Sequence, residues 1–378
     1  MTIKDLLLSD ETLFKNEEVF NPDYIPENYI HRNSQLKGIA ECLRPALRRG
    51  RPINALIIGP PATGKTTAIK KMFEEVEDAS NKVVPVHINC QIHTSKFTIF
   101  SQIFKKIFGY LPPETGVPFQ KIYDRIFKKL VKDNRSLVVA LDDLNYLVYG
   151  KRANKIIYDI LRAHEVFSGA KTAIFGISTD ADFRSGLDDK VSSIFRYQEI
   201  YFPPYTAKET FDILKNRAQL GFYPGVISEE LVEKISNYAS SHGDLRVGIE
   251  LLRVSAAIAE SDSSRIIREE HIDDAYERSK LVNLRELLGA LNDEEKALLG
   301  TIARHGEGEI TSGELYERYS KRAKITYIQF YRTLDKLEAV RLIDTRFSGK
   351  GRKGRTRIIT PRYLWEEIAG LLDENIFK

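Results

Sequence analysis

Cysteine is scarce in this sequence. Only two cysteines, Cys42 and Cys90, occur among 378 residues, and no cluster with metal-ligand spacing forms around them. Their scarcity excludes a cysteine-based metal site of the zinc-finger type. We therefore expect two reduced thiols in a cytosolic protein.

Long apolar runs are also missing. No run approaches the ~18–20 apolar residues that a membrane-spanning helix needs, and residues 1–18 carry acids where a signal peptide would be apolar. The sequence therefore predicts neither a span nor a signal peptide, and it shows no internal repeat or low-complexity tract. Hydrophobic residues make up 42% and charged residues 29%, which is ordinary for a globular chain of two or three domains.

A strong net charge is absent, but the positive charge is unevenly spread. The net charge is only +4. In residues 341–362 the only acid is Asp344. The cations of that stretch are Arg341, Arg346, Lys350, Arg352, Lys353, Arg355, Arg357 and Arg362. Such a local excess predicts a polyanionic partner.

Three regions differ in their hydrophobic pattern. Residues 1–205 alternate short apolar strands with helical stretches, which predicts an α/β domain with a parallel sheet covered on both faces. The expected strands are 55–58, 83–88, 137–141, 172–177 and 199–202. Residues 206–283 are predicted to form a helical lid, beginning with a capping box of Thr206 and Glu209. Residues 284–378 predict an α+β winged helix: helices near 292–304, 312–320 and 325–339, then strands 342–347 and 356–359.

The strongest motif is a glycine-rich loop. Residues 59–66 read GPPATGKT, which fits G-x-x-x-x-G-K-[ST] between a strand and a helix. Loop N–H groups and the helix N-terminus would point at phosphates, Lys65 would reach the β- and γ-phosphates of ATP, and Thr66 would bind Mg²⁺. The predicted nucleotide contacts here are Pro61, Ala62, Thr63, Gly64, Lys65, Thr66 and Thr67. A chance glycine loop is the alternative, and Ala62 stands where glycine is usual.

A second motif is the apolar run LVVAL followed by Asp142 and Asp143. Ligands of an open α/β sheet bind at the carboxyl ends of its strands. We expect Asp142 to hold Mg²⁺ directly or through water, and Asp143 to orient or activate the attacking water. The alternative is that the two carboxylates cap the next helix.

The order of these motifs resembles the archaeal Orc/Cdc initiator family, AAA+ proteins that recognise replication origins. The matching segments are DYIPE (23–27) with His31 and Arg32, then GPPATGKTT, VVALDD, GISTD, FPPY and GDLR, followed by the winged-helix pattern. The resemblance covers almost the whole chain. It implies a P-loop NTPase base, a lid and a winged helix, with ATP or ADP, Mg²⁺ and duplex DNA as ligands.

The resemblance also assigns roles to single residues. Thr179 in GISTD occupies the sensor position near the γ-phosphate, and Tyr205 in FPPY lies beside the nucleotide. Arg217 and Arg246 match lid arginines that contact the nucleotide, Arg246 at its γ-phosphate. Ordinary surface charges are the alternative for both arginines.

Three positions depart from the family pattern. Asp143 replaces the usual glutamate, Thr179 replaces the usual sensor asparagine, and Lys190 stands where relatives often carry a candidate arginine finger. Lysine lacks the planar guanidinium, and Arg196 is a nearby substitute. Because a finger contributes orders of magnitude in rate, we expect slow ATP hydrolysis and ATP acting more as a switch than as a fuel.

The C-terminal region is predicted to hold DNA, with the helix that begins near Ile325 in the major groove. Spacing of three to four residues predicts a buried side made of Ile328, Tyr331, Leu334 and Leu337. The residues expected to face DNA are Thr326, Tyr327, Gln329, Phe330 and Arg332. The wing cations expected to contact phosphates or the minor groove are Lys350, Arg352, Lys353 and Arg355. A solvated charged hairpin is the alternative for the wing.

The resemblance implies a further DNA contact, an insertion at residues 94–116 with Lys96, Lys105 and Lys106. The phenylalanine and isoleucine spacing there equally predicts an ordinary amphipathic helix packed on the core.

Together these predictions describe an ATP-dependent DNA replication initiation protein, cytoplasmic and nucleoid-associated. It would bind origin duplex DNA, associate with paralogous initiator subunits and help recruit the replicative helicase. The alternatives are an AAA+ winged-helix transcription regulator, a clamp-loader-like ATPase and a module whose winged helix binds protein.

Overall fold

The structure is a computed structural model that describes residues 12–113, 115–149, 152–179, 186–306, 308–321, 325–340, 342–347, 356–363, 365–369 and 371. The chain divides into two compact units, Met1–Ile272 and Asp273–Lys378. The finer boundaries at 205/206 and 283/284 remain predictions. In the described part of the chain, no helix is both long and apolar enough to cross a membrane.

The first unit contains a five-stranded parallel sheet with the strand order β2-β3-β4-β1-β5. Its strands are β1 (Asn54–Ile58), β2 (Val83–Asn89), β3 (Ser136–Asp142), β4 (Thr172–Ser178) and β5 (Tyr197–Tyr201). Each lies where the sequence predicted a strand. The parallel α/β sheet is therefore confirmed.

Both faces of this sheet are buried because successive side chains of a strand point to opposite sides. In β1, Leu56 and Ile58 belong to one apolar core, whereas Ala55 and Ile57 belong to the other. The helices of this part are α1 (Asn33–Leu47), α2 (Lys65–Ala79), α3 (Lys96–Phe108), α4 (Phe119–Lys132), α5 (Leu144–Tyr149), α6 (Ala153–Leu161), α7 (Ala163–Val166) and α8 (Asp189–Ile194). A 3-10 helix (Glu17–Phe20) precedes them.

The register of the sheet brings the predicted site residues to one edge. Strand β4 lies between β3 and β1, with Ile58 paired to Ser178 and Leu141 paired to Gly176. Parallel strands present their carboxyl ends at the same edge. The loop after Ile58, the acids at the end of β3 and Thr179 after β4 therefore emerge side by side.

Three further helices complete the first unit: α9 (Ala207–Gly221), α10 (Glu229–His242) and α11 (Leu245–Ser261). The predicted capping box starts α9, where Glu209 N donates to Thr206 Oγ1 (3.2 Å) and Thr206 N donates to Glu209 Oε2 (2.9 Å). Asp244 caps α11 by accepting from Arg246 N (2.9 Å). These caps satisfy backbone donors that a helix N-terminus leaves unpaired.

The second unit holds a three-stranded antiparallel sheet with the order β6-β8-β7. Its elements are α13 (Asp293–Ala303), β6 (Ile310–Thr311), α14 (Ser312–Ser320), α15 (Tyr327–Ala339), β7 (Ile343–Phe347), β8 (Arg357–Pro361) and α16 (Trp365–Ala369). They follow α12 (Glu269–Gly289), in which the division between the units falls. The predicted three helices and two-stranded ribbon are confirmed, whereas the two-residue strand β6 was missed.

Candidate functional site

The loop between β1 and α2 folds tightly because two of its glycines have no room for a side chain. A Cβ on Gly59 would lie 2.2 Å from the Phe202 carbonyl oxygen. Gly64 has φ +87°, and a Cβ there would lie 2.1 Å from Tyr29 Oη. Only glycine combines that left-handed backbone with so close an approach. Ala62 is also left-handed, with φ 59°.

Lys65 begins α2 and is buried beneath this loop. Its Nζ donates to the carbonyl oxygens of Gly59 and Pro60, both at 2.7 Å. Burial lowers the pKa of Lys65 to about 8, although the nearby Asp142 and Asp143 carboxylates act in the opposite direction. The Lys65 ammonium is therefore desolvated, and a negative charge placed beside it would stabilise its charged form.

Two carboxylates stand opposite the loop. Asp142 is buried at the end of β3, where its Oδ2 accepts from Thr66 Oγ1 (2.8 Å) and lies 2.9 Å from His87 Nε2. Asp143 has φ 55°, and its Oδ2 accepts from Gln91 Nε2 (2.8 Å). Burial, and then the charge of Asp142, raise the pKa of Asp143. These side-chain bonds run to other segments of the chain, and Asp142 Oδ1 also accepts from the Asp143 N–H (3.1 Å). The assignment of the two carboxylates to Mg²⁺ and water stays a prediction.

The N-terminal segment ties the loop to the start of the lid. Tyr29 Oη donates to the Gly64 carbonyl (2.6 Å). The side chain of Arg32 is buried; its Nε donates to the Thr63 carbonyl (3.2 Å) and its Nη2 to the Pro203 carbonyl (2.7 Å). The guanidinium carbon lies 3.7 Å from the Tyr205 ring centroid. Arg32 therefore joins the glycine-rich loop to the FPPY segment, a contact that the sequence analysis did not assign.

All the predicted nucleotide-site residues line one cleft of about 680 Å³. They are Pro61, Ala62, Thr63, Gly64, Lys65, Thr66, Thr67, Asp142, Asp143, Thr179, Tyr205, Arg217 and Arg246. Much of the remaining lining was not predicted from the sequence; it includes Tyr24, Ile25, Tyr29, Ile213, Asn216 and Ile249. The signal available for Tyr24 and Ile25 was the DYIPE segment, which carried no role of its own.

The two lid arginines differ in how tightly they are held. Arg217 is buried, its Nη1 donates to the Val19 carbonyl (2.5 Å), and its guanidinium lies 4.4 Å from the Tyr24 ring centroid. Burial lowers its pKa. Arg246 is mostly exposed and pairs with Asp244 (2.8 Å), whose hydrogen bond raises the pKa of Arg246. Arg246 is thus free to change partner, whereas Arg217 is fixed in the wall.

Neither finger candidate lies in this cleft. Lys190 and Arg196 are both exposed, and neither lines the cavity. A finger acts on the site of a second copy, so their assignment stays a prediction.

The helix of the second unit predicted to enter DNA has the expected bounds but a different rotation about its axis. Phe330, predicted to face DNA, is fully buried with Leu334 and Leu337. Ile328, predicted to be inward, has 67% of its surface exposed. Phe330 is buried because its ring packs edge-on against Tyr316 of α14, with centroids 5.2 Å apart. With this packing Phe330 does not face DNA and Ile328 does not face the core, so both predictions were wrong.

The other predicted DNA residues of α15 lie at its exposed start. Thr326 and Gln329 form a capping box, with Gln329 N donating to Thr326 Oγ1 (3.3 Å) and Thr326 N donating to Gln329 Oε1 (3.0 Å). Their side chains therefore serve the helix N-terminus. Tyr327 is 56% exposed and Arg332 is exposed one turn later.

Long-range ion pairs reduce the charge excess of residues 341–362. Arg346 pairs with Glu309 (2.7 Å), Arg362 with Asp344 (2.8 Å), and the buried Arg357 with Asp335 and Glu338. Glu309, Asp335 and Glu338 come from outside that stretch, so the linear count overstated its charge. The wing residues Lys350, Arg352, Lys353 and Arg355 lie outside the described residues.

The predicted insertion forms the ordinary amphipathic helix that was its alternative. Helix α3 buries Phe100, Ile103 and Phe104 in the core of the sheet domain. Lys96 pairs with Asp159 (2.7 Å) and Lys106 with Glu77 (2.6 Å), while Lys105 is exposed. These contacts account for the apolar spacing, and the DNA contact of this segment stays a prediction.

Comparisons with known proteins match almost the whole chain. Three family models fit: an AAA ATPase domain over residues 28–153, a Cdc6 AAA+ ATPase-type lid domain over 211–277 and a CDC6 C-terminal winged helix domain over 290–366. The ORC1-type DNA replication protein 2 of Methanothermobacter thermautotrophicus is 54% identical over 366 residues, 97% of this chain and 96% of that protein. Its namesake in Methanosarcina mazei is 45% identical over 372 residues, 98% of this chain and 99% of that protein.

Solved structures share the same architecture. The Aeropyrum pernix ORC1 protein, solved in complex with DNA, is 28% identical with a TM-score of 0.71, covering 97% of this chain and 98% of that one. The Aeropyrum pernix ORC2 protein, solved in ADPNP and ADP complexes, has a TM-score of 0.75 at 23% identity and the same coverage. The AAA+ base, the helical lid and the C-terminal winged helix are thereby shown.

Proposed function

This chain belongs to the family of archaeal ORC1-type DNA replication proteins, and from that premise we propose that it binds origin duplex DNA under the control of ATP. We propose further that it helps to recruit the replicative helicase and acts with paralogous initiator subunits. Those two partners rest on family membership alone.

The convergence of the nucleotide-site residues on one cleft carries the proposal. The glycine-rich loop, the acids after β3, Thr179 and the lid arginines are far apart in sequence but line a single cavity. A cavity of this kind with few convergent polar groups is the usual form of a small-molecule site. The groups that line it match what a nucleoside triphosphate requires, namely backbone donors, a buried cation and opposed carboxylates.

The side chains present fit ATP and Mg²⁺. Gly64 lets the loop turn in a left-handed conformation against Tyr29, where a Cβ has no room, and Lys65 is a buried ammonium at the start of α2. Thr66 and Asp142, already 2.8 Å apart, supply the hydroxyl and carboxylate oxygens that Mg²⁺ prefers. Mg²⁺ bound there would neutralise charge on the phosphates. Arg217 and Tyr205 would wall the cleft, and Arg246 would be available to a γ-phosphate.

The same side chains favour ATP as a switch over ATP as a fuel. Asp143 is one methylene shorter than glutamate, and Gln91 holds its carboxylate. Thr179 replaces asparagine, and the finger candidate Lys190 lacks a guanidinium. We expect steady-state turnover with saturating ATP and Mg²⁺ to stay well below ~1 per second, the low end for vigorous enzymes. Turnover well above that value would contradict the switch.

The winged helix supplies the DNA-binding half of the proposal. The related Aeropyrum pernix ORC1 protein was solved with DNA, and this chain matches it over 97% of its length. The exposed start of α15 and the cations of the wing are the surfaces proposed to meet the duplex.

Anisotropy across a salt series tests DNA binding directly. The intact chain would be compared with an Arg352→Ala, Lys353→Ala, Arg355→Ala variant on genomic origin duplex and scrambled duplex. A matched variant, Lys121→Ala, Lys128→Ala, Lys132→Ala, removes the same charge from exposed positions of α4. We expect tighter binding to origin duplex. The log–log salt slope should flatten by about 0.9 for each lost phosphate contact in the wing variant only. Absence of binding to either duplex would defeat the proposal.

A further inference from the structure

The start of α15 exposes two large apolar side chains that the core of the second unit does not use. Tyr327 is 56% and Ile328 67% exposed. Phe330, Leu334 and Leu337 of the same helix are fully buried. One side of the helix therefore packs on the core, and Ile328 lies on the opposite, exposed side with Arg332 one turn later.

This exposed pair is held in place. The capping box of Thr326 and Gln329 fixes the helix start. Tyr327 Oη donates to Tyr331 Oη (3.1 Å), which donates in turn to Ser312 Oγ (2.9 Å). The β-branched side chain of Ile328 has few rotamers in a helix. A partner would therefore meet a surface that loses little conformational entropy on binding.

The charge of the sequence that flanks the pair favours a polyanionic partner. Between Glu317 and Asp335 the sequence contains no acid. The cations in that interval are Arg318, Lys321, Arg322, Lys324 and Arg332. An apolar pair inside a purely cationic segment suits nucleic acid better than an apolar protein groove.

Two of the polar side chains predicted to face DNA, Thr326 and Gln329, are engaged in capping. Thr326 Oγ1 donates to Gln329 Oε1 at 2.7 Å, so the amide oxygen of Gln329 is already an acceptor within its own helix. The major groove offers one apolar feature, the C5-methyl group of thymine. We infer that Ile328, with Tyr327 beside it, is a specificity-determining residue that contacts thymine methyl groups in the major groove. This inference rests on the proposed DNA-binding function.

Removal of single methyl groups from DNA tests the inference. Short duplexes with a randomised centre are selected by the intact chain, and the enriched duplex is resynthesised with each thymine in turn replaced by deoxyuridine. At one or two positions the intact chain should lose about fourfold in affinity, the effect of one buried methyl group. Ile328→Ala should bind the thymine and deoxyuridine duplexes equally. Ile266→Ala, at an exposed isoleucine of the first unit, should keep the full fourfold difference.

The outcomes separate this inference from the proposed function. If the intact chain binds the selected duplex but no deoxyuridine position weakens binding, the inference is wrong and DNA binding stands. If Ile328→Ala keeps the methyl dependence, another residue makes the contact and the inference is again wrong. If selection enriches no duplex, the proposed function fails and the inference falls with it.

Discussion

Gly64 shows how a single residue shapes the nucleotide cleft. Its φ of +87° and the 2.1 Å that would separate a Cβ from Tyr29 Oη leave no room for alanine. We expect Gly64→Ala to displace Tyr29 and to weaken ATP binding at least about tenfold, corresponding to roughly 1.4 kcal/mol. Binding of a fluorescent ATP analogue measures this. Gly109 has a similar φ of +84° with open space around it, so Gly109→Ala should cost about 1 kcal/mol of stability without changing ATP affinity.

The contacts of Arg32 can also be tested by a single substitution. Its guanidinium bonds to the carbonyls of Thr63 and Pro203 while it stacks on Tyr205. Lysine keeps the charge but not the planar fork, so Arg32→Lys should destabilise the first unit by about 2–4 kcal/mol. Calorimetric unfolding measures the loss. Arg268→Lys, at an exposed pair with Glu270, should stay within ~0.5 kcal/mol. Equal effects of the two variants would show that the Arg32 contacts are unimportant.

At the scale of elements, the rotation of α15 is open to direct test. Phe330→Ala should destabilise the second unit by about 3–5 kcal/mol because it empties a fully buried site. Ile328→Ala should change stability by less than ~0.5 kcal/mol. The single tryptophan of the chain, Trp365, packs on the core of the second unit, so its fluorescence in urea reports that unit. A costly Ile328→Ala would restore the rotation that the sequence suggested.

The start of α13 carries a pH-dependent contribution. Burial raises the pKa of Glu295, but hydrogen bonds from Lys336 (2.6 Å) and the Asn292 N–H outweigh it, and the net pKa lies below the ordinary 4.5. A lowered folded-state pKa adds stability above pH 4.5, and that stability is lost as pH falls through the folded pKa. Glu295→Gln should therefore cost about 1 kcal/mol at neutral pH and progressively less in acid. Trp365 fluorescence in urea at several pH values measures it.

The sequence predicted most elements because apolar periodicity determines them locally. The parallel strands were found within one or two residues of their observed ends, since each is a short apolar run buried on both faces. The predicted rotation of α15 was wrong because its aromatic residues permit two apolar stripes, one through Ile328 and one through Phe330. Packing against Tyr316 selects the second, and a single-helix pattern does not contain that partner.

At the scale of the whole molecule, features that depend on local sequence were predicted, and features that depend on long-range contacts were missed. The glycine-rich loop and the acids after β3 act through local geometry, so their motifs could be recognised in the sequence. Tyr29 and Arg32 act through contacts with residues 35 and 171 positions away. The charge of residues 341–362 was overstated because Glu309, Asp335 and Glu338 approach only in the folded chain. Long-range pairing of this kind leaves no periodic signal.

Calorimetric titration of ATP with Mg²⁺ into the intact chain tests the central claim most directly. We expect saturable binding at one site, weakened about ten- to a hundredfold by Lys65→Ala, because a charge-assisted hydrogen bond from a buried ammonium is lost. Lys71→Ala should bind as the intact chain does, since Lys71 pairs with Glu75 on the same helix and does not line the cleft. Absence of binding, or equal affinity of the intact chain and Lys65→Ala, would contradict the assignment of the cleft.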